Sequence, residues 1–123
     1  MFREMFLITG LSKYRENDAS ATDADTVLKM ATLGGAAAMG LSDCDILAEG
    51  KQADLILIDL NQPNMRPVHN LTKNLVYSGS KQNVRLTMVA GKILYEDGEF
   101  SIGEEPDFVY RKAEEITGRI FGN

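Results

Sequence analysis

The segment VRLTMVAGKILYEDGEF, residues 84–100, decides the fold class of this 123-residue chain. Apolar and other side chains alternate along Val84–Ala90, which is the period of a β-strand. Ala90–Gly91 can close a tight turn, and Lys92–Tyr95 can return as the partner strand. Asp97–Gly98 is a second turn signal. The segment therefore predicts an antiparallel hairpin.

The chain before this hairpin has helical periodicity. Residues 1–14 predict a helix, and residues 23–40 predict a second one with Thr22 as its N-cap and Gly40 just past its end. The first helix has one apolar face, made of Met1 or Phe2, Met5, Phe6, Ile8 and Leu11. The second helix has an apolar stripe whose residues become small toward its end, from Gly34 onward. Small residues there predict the close approach of another backbone.

The remaining segments complete an α+β pattern. ADLILIDL, residues 53–60, predicts a buried strand, and residues 61–74 predict a long irregular connection. Leu75–Tyr77 is a candidate short strand, and residues 107–121 predict a helix with Pro106 in its first turn. Helices and strands are segregated along the chain, which favours α+β over repeated βαβ units.

Composition excludes several classes of function. The net charge is −5, which argues against binding to a nucleic-acid backbone. Met1–Gly10 has no long apolar core, so we expect neither a signal peptide nor a membrane-spanning helix. The single cysteine, Cys44, excludes an internal disulfide, and with no export signal we expect a cytoplasmic protein. The single histidine, His69, is too few for most zinc hydrolase sites.

Three features could have a function, but in each case the surrounding sequence favours a structural interpretation. A phosphate-binding loop at Gly34–Gly40 would need a preceding strand and a following lysine, and neither is present. His69 has no second histidine to share a metal and is expected at the surface. Cys44 lies between Asp43 and Asp45, which oppose the thiolate form that a nucleophile needs.

The carboxylates are numerous but show no catalytic spacing. Asp23 and Asp25 are expected acids of a helix start, and so are Glu104 and Glu105 before the last helix; three others are assigned no role: Asp18, Asp43 and Asp45. Asp54 and Asp59 bracket the predicted buried strand, and Asp54 needs backbone or hydroxyl partners there. We therefore interpret Asp54 as structural.

Three motifs in a fixed order resemble a known family. ATLGGAAAMGL (Ala31–Leu41), GKQADLILIDL (Gly50–Leu60) and VRLTMVAGKILYEDGEF (Val84–Phe100) resemble the C-terminal part of metal-dependent amidohydrolases. The subgroup is the one that holds triazine chlorohydrolases and deaminases of S-adenosylhomocysteine and methylthioadenosine. The Met1–Met5 segment, MFREM, resembles the helix that follows the family's last metal-ligand aspartate.

The resemblance implies an architecture and no site in this chain. Residues 1–41 would be the terminal helices of a (β/α)8 barrel, 42–104 the C-terminal part of a β-sandwich, and 105–123 a terminal helix. The family's five metal ligands, four histidines and an aspartate, would all lie before Met1. Neither a catalytic nor a metal-binding residue is therefore assigned here, the substrate-binding residues are unknown, and the metal of the whole enzyme would be zinc or iron.

The first hypothesis is that the chain is a structural, inactive part of an amidohydrolase that hydrolyses a non-peptide C–N bond, in a nucleoside or heterocycle. Its partners would then be the missing barrel and, in isolation, a second copy; nucleic acid and membranes are not expected. The alternatives are a short non-catalytic binding module that retains part of this fold and, less favoured, a small enzyme that uses acids alone.

Overall fold

The computed structural model describes residues 1–122 as helices, one small sheet and connecting loops. None of the helices in these residues is long and apolar enough to cross a membrane. The helices are α1 (Phe2–Glu16), α2 (Ala24–Lys29), α3 (Gly35–Ala38), α4 (Leu71–Ser78) and α5 (Pro106–Phe121). The strands are β1 (Leu55–Ile58), β2 (Val84–Val89), β3 (Lys92–Glu96) and β4 (Glu99–Phe100).

The sheet is antiparallel throughout, with the strand order β1-β2-β3-β4. The turn between β2 and β3 is at Ala90–Gly91, where both residues have positive φ, as a tight hairpin turn requires. Asp97–Gly98 closes the second hairpin in the same way. The hairpin predicted within residues 84–100 is therefore confirmed, the turn signal at Asp97–Gly98 is confirmed as the turn of a further hairpin, and the α+β class is confirmed too.

A separate helical layer surrounds a small apolar core. Helices α1, α2 and α4 contact one another, and their buried side chains form one cluster. The cluster consists of Met5, Ala24, Val27 and Val76, with Phe2, Leu28 and Ala31 packed around it. The second helix of the sequence analysis is therefore part of the core, as its periodicity indicates.

The second helix differs in detail from the prediction. Its N-cap is Asp23, whose carboxylate accepts a hydrogen bond from the Thr26 amide at 2.7 Å, and Thr22 precedes it with positive φ. The predicted N-cap at Thr22 was wrong by one residue, because a carboxylate is also favoured by the helix dipole. A π-helical turn at Met30–Gly34 links α2 to α3. The predicted end is confirmed: Gly40 is left-handed, and the Leu41 amide bonds back to the Ala36 carbonyl at 2.9 Å.

Helix α4 replaces the strand that was predicted at Leu75–Tyr77. The side chain of Asn70 caps the helix by accepting a hydrogen bond from the Lys73 amide at 2.9 Å. Val76 is 1% exposed, because α4 packs against α2 and α1. An apolar triplet with a single β-branched residue, Val76, is compatible with either structure, and the tertiary contact selects the helix.

The close approach predicted at Gly34 is found instead at Gly79. A side chain at Gly34 would meet only the helix's own carbonyl of Lys29, at 3.6 Å. A Cβ at Gly79 would lie 2.9 Å from the ring of Phe2 and 2.4 Å from the carbonyl of Leu75. The small residue is therefore required where α1 crosses the end of α4.

Two predicted apolar surfaces are less buried than their patterns suggest. On α1, Met5 is buried, but Phe6, Ile8 and Leu11 are exposed, and the polar Thr9 is buried instead, donating its hydroxyl to a backbone carbonyl. Strand β1 was predicted to be buried, yet it is an edge strand whose central residues, 56 and 57, are about half exposed. Both apolar surfaces therefore lack cover within residues 1–122.

Helix α5 follows the predicted range closely but packs against nothing extensively. It starts with Pro106, as predicted, and it contains no buried residue. The predicted apolar stripe is formed, but Val109, Ile116 and Ile120 on it are all exposed. Its side chains therefore contribute nothing to the core of this part of the chain.

Asn83 joins the helical layer to the sheet. Its side chain is fully buried between a 3-10 turn and the start of β2. Its Oδ1 accepts hydrogen bonds from the Ser80 amide at 2.9 Å and from Asn64 Nδ2 at 2.8 Å. Its Nδ2 donates to the carbonyl of Asp59, just after β1, at 3.4 Å. One side chain thus connects three separate segments.

We expect Met65→Ala to lower the free energy of unfolding by about 2–5 kcal/mol, because Met65 is fully buried and the smaller side chain leaves a cavity. The matched control is Met39→Ala, since Met39 is 69% exposed, and its effect should stay within about 0.5 kcal/mol. Urea unfolding followed by circular dichroism measures both. Equal effects would contradict the burial of Met65.

Candidate functional site

An open apolar groove of about 700 Å³ lies between the helical layer and the sheet. One wall is formed by the end of the second helix, from Ala31 to Met39, and the other by β1 and β2. The loop that follows the helix completes it and contributes the ionisable residues Cys44 and Asp45, while Asp54 comes from the start of the strand side. We call this cavity the helix–sheet groove.

Asp54 anchors the hairpin turn rather than facing a substrate. Its carboxylate accepts hydrogen bonds from the Ala90 amide at 2.6 Å and from Gln52 Nε2 at 3.1 Å. The Ala90 amide is the main reason that the pKa of Asp54 lies below its usual range. Ala90 has φ of 51°, which is unfavourable for a residue with a Cβ, so this bond helps to hold the turn. The backbone partner expected for Asp54 is therefore Ala90.

Cys44 is a poor nucleophile in this setting. Partial burial raises the pKa of its thiol above its ordinary value, and a hydrogen bond to Asp54 and the charges of the flanking aspartates raise it further. The reactive form of a cysteine is the thiolate, which these surroundings disfavour. The structure thus supplies the physical reason for the interpretation made from the sequence.

The other acid of the groove is paired. Asp45 Oδ1 lies 2.9 Å from Lys51 Nζ, and this ion pair lowers the pKa of Asp45. Lys51 also donates to the Ser42 carbonyl. Because the loop's charges hold the loop itself together, Asp45 is not free to act as a general base toward a ligand.

A second set of charges lies beyond the end of β1. Asp59 accepts hydrogen bonds from Gln62 Nε2 at 2.8 Å and the Asn61 amide at 2.7 Å, and these bonds lower its pKa. Arg85 reaches Asp59 at 3.6 Å and forms a shorter ion pair with Asp97 across the strand end. The pKa of Asp97 is lowered by this pairing. The contacts of Asp59, Arg85 and Asp97 stabilise the sheet. None of these three charged groups is therefore available as a general acid or base.

The remaining candidates are not brought together. His69 is exposed in the loop before α4, and Glu105 is the N-cap residue of α5 without a capping side-chain bond. Asp25 lies in the first turn of α2, as expected. The glycines of Gly34–Gly40 lie within and at the end of the second helix, so the phosphate-loop interpretation fails.

Sequence comparison decides the family. The model described as the amidohydrolase family matches residues 1–94. The chain belongs to the amidohydrolase family. The match includes the helical layer, β1, β2 and the first part of β3. It therefore covers the helix–sheet groove but not α5.

Related amidohydrolases are several times longer than this chain. It is 47% identical over 106 residues to a 5-methylthioadenosine/S-adenosylhomocysteine deaminase of Nitratidesulfovibrio vulgaris, covering 86% of the chain and 24% of the relative. It is 36% identical to a second protein of that name, from Archaeoglobus fulgidus, over all 123 residues and 29% of the relative. The chain thus spans about a quarter of these relatives and matches their C-terminal part.

Solved structures show the same relation. An adenosine deaminase from Xanthomonas campestris with bound zinc superposes with a TM-score of 0.92 at 35% identity, over 100% of this chain and 28% of the other. An atrazine chlorohydrolase from Arthrobacter aurescens, in complex with zinc, superposes with a TM-score of 0.73 at 24% identity, over 89% of this chain and 25% of the other, which supports the fold alone. The resemblance to the C-terminal part of amidohydrolases is confirmed.

The donors of this chain do not fit a metal ion. Among residues 1–122, no three histidine, cysteine, aspartate or glutamate side chains lie together as a metal site requires. The acids of the groove and of the strand end are already held by Lys51, Ala90 and Arg85. The absence of an assigned metal or catalytic residue therefore stays a prediction, with this geometry as its basis.

We expect Cys44 to be alkylated by iodoacetamide more slowly in the native chain than in urea at pH 8. The raised pKa leaves less thiolate in the folded state, and the native rate should rise as the pH increases through the elevated pKa. Asp54→Asn should accelerate the native reaction, because it removes a charge that disfavours the thiolate. Asp25→Asn, in helix α2 and away from Cys44 in sequence, is the control and should leave the rate unchanged. A native rate above the unfolded rate would mean that Cys44 is activated.

Proposed function

We propose that this chain forms the C-terminal part of a metal-dependent deaminase of an aminated nucleoside, and that its role there is structural. The observation that carries the proposal is the 47% identity to a 5-methylthioadenosine/S-adenosylhomocysteine deaminase. The zinc-bound adenosine deaminase that superposes on the whole chain supports the same class of substrate.

The chemistry of deamination supports the structural role. Replacing an amino group on a heterocycle by water needs an activated water molecule and a group that delivers a proton to the departing amine. The acids described above are held by cations and backbone amides, and the thiol of Cys44 is disfavoured as a thiolate. We therefore place the water-activating groups and the metal, zinc or iron, in the part of the enzyme that corresponds to the N-terminal three quarters of the relatives. We call that part the catalytic body.

The exposed apolar surfaces support an attachment to such a body. Phe6 and Leu11 on α1 are 54% and 65% exposed, and they lie on a helix whose other face already packs on α4. A helix that is apolar on both sides is typical of a layer with neighbours on both sides. We propose that the catalytic body covers this outer face and that the assembled protein is cytoplasmic, consistent with its single free cysteine.

We expect the isolated chain to release no ammonia from 5-methylthioadenosine, with or without added Zn²⁺. A chimera in which this chain replaces the matching C-terminal part of the Archaeoglobus fulgidus relative should deaminate that substrate. The unmodified relative is the positive control, and the relative truncated before the replaced part is the negative control. Turnover with stoichiometric Zn²⁺ by the isolated chain would overturn the structural role. An inactive but folded chimera would overturn the assignment to this deaminase class.

We also propose that the isolated chain self-associates, because strand β1 presents an unpaired apolar edge. Light scattering during size-exclusion chromatography should give a mass above the 13.6 kDa of one chain, increasing with concentration. Leu57→Lys, at the middle of that edge, should shift the mass toward the monomer. Ile120→Lys on α5 is the matched control and should not. A wild-type monomer at every concentration would refute self-association.

A further inference from the structure

Helix α5 is the element whose position this chain does not explain. Its side chains make no buried contact, and it follows β4 through a short exposed connection that contains the left-handed Gly103. An isolated helix of sixteen residues is only marginally stable in water. Something outside residues 1–122 is therefore needed to hold it against the rest of the fold.

The comparison structure shows that the position is shared. The adenosine deaminase from Xanthomonas campestris superposes on 100% of the chain with a TM-score of 0.92. The sixteen residues of α5 are about 13% of the 123, so the other residues alone cannot give a score of 0.92, and part of α5 must superpose as well. At least part of the helix thus has the same place in an enzyme of which the superposed part is only 28%.

The exposed face of α5 has the pattern of a helix-packing surface. Val109, Ala113, Ile116 and Ile120 are separated by four, three and four residues, which places them in one stripe. The side chains of Val109, Ile116 and Ile120 are 43%, 47% and 70% exposed. Lys112 and Glu115, which pair at 2.7 Å, flank this stripe on one side. We call the four-residue apolar surface the α5 stripe.

The size of the α5 stripe favours a partner on the same polypeptide over a second copy. A helix of sixteen residues is about 24 Å long and about 10 Å wide, so one face has a footprint of roughly 240 Å². Stable interfaces between separate chains bury about 800 Å² per partner. A covalently connected partner needs no such area, because its effective concentration is high.

We propose that the α5 stripe docks on a helix of the catalytic body and so clamps the sheet to it. This inference rests on the proposed function, because it requires the chain to be joined to that body. Residues 101–105 act as the connection that lets the helix reach the body after β4 ends. The clamp contributes no catalytic residue; α5 is a positioning element for the sheet and the groove.

The test uses the chimera described above and the isolated chain, compared by hydrogen–deuterium exchange. The α5 amides should exchange at least tenfold more slowly in the chimera than in the isolated chain. Ile116→Glu in the chimera should abolish this protection and increase proteolytic cleavage within residues 101–105. Arg111→Glu, on the opposite side of the same helix, is the matched control and should retain the protection.

The outcomes separate this inference from the proposed function. A chimera that deaminates its substrate but leaves α5 unprotected overturns the clamp and keeps the function. A folded chimera that protects α5 but does not deaminate supports the clamp and overturns the function. Protection of α5 in the isolated chain that grows with concentration and disappears in Ile116→Glu would also overturn the clamp, because a second copy would then be the partner.

Discussion

The buried amide of Asn83 is the contact on which the arrangement of helices and sheet depends. Its Oδ1 accepts hydrogen bonds from the Ser80 amide and from Asn64 Nδ2, and its Nδ2 donates to the Asp59 carbonyl just after β1. An amide can do both at once, whereas a carboxylate could only accept and an ammonium only donate. Because the side chain is fully buried, each of these bonds replaces water that cannot enter, so the three segments must meet at this residue.

Like Asn83, the charged side chains described above stabilise the chain's own structure. Asp54 holds the turn between β2 and β3, Asp59 and Asp97 hold Arg85, and Asp45 holds Lys51. Several apolar surfaces, in contrast, are exposed to solvent. They are the edge strand, the outer face of α1 and the whole of α5. A chain with satisfied charges and unsatisfied apolar faces is suited to joining a larger body, which is the role proposed for it among the amidohydrolases.

Several elements could be predicted because their signals are local. The hairpins of residues 84–100 follow from alternation and from turn residues that tolerate positive φ. The end of the second helix follows from Gly40, and the start of α5 from Pro106. Part of the weak chemistry of Cys44 follows from the neighbouring Asp43 and Asp45, but burial and Asp54 raise the pKa of its thiol more, and these come from the fold.

Other features depend on contacts between distant residues. The sequence of Leu75–Tyr77 is compatible with a strand or a helix. It is helical because Val76 packs against the second helix. The close contact expected at Gly34 occurs at Gly79, because Phe2 crosses there from the other end of the chain. The apolar pattern of residues 55–58 predicts burial, but only the sheet order shows that this strand lies at an edge.

The family, the α+β order of the elements, the hairpin at Ala90–Gly91 and the shortage of metal ligands could all be predicted without coordinates. These rest on motifs, on local backbone preferences and on composition, which need no knowledge of the neighbours in space. Three features needed the coordinates: Asn83 joins the layers, Asp54 holds Ala90, and α5 buries no residue against the rest of residues 1–122. Burial and hydrogen bonding between distant segments depend on two parts of the chain that meet only after folding. A single stretch of sequence contains only one of those two parts.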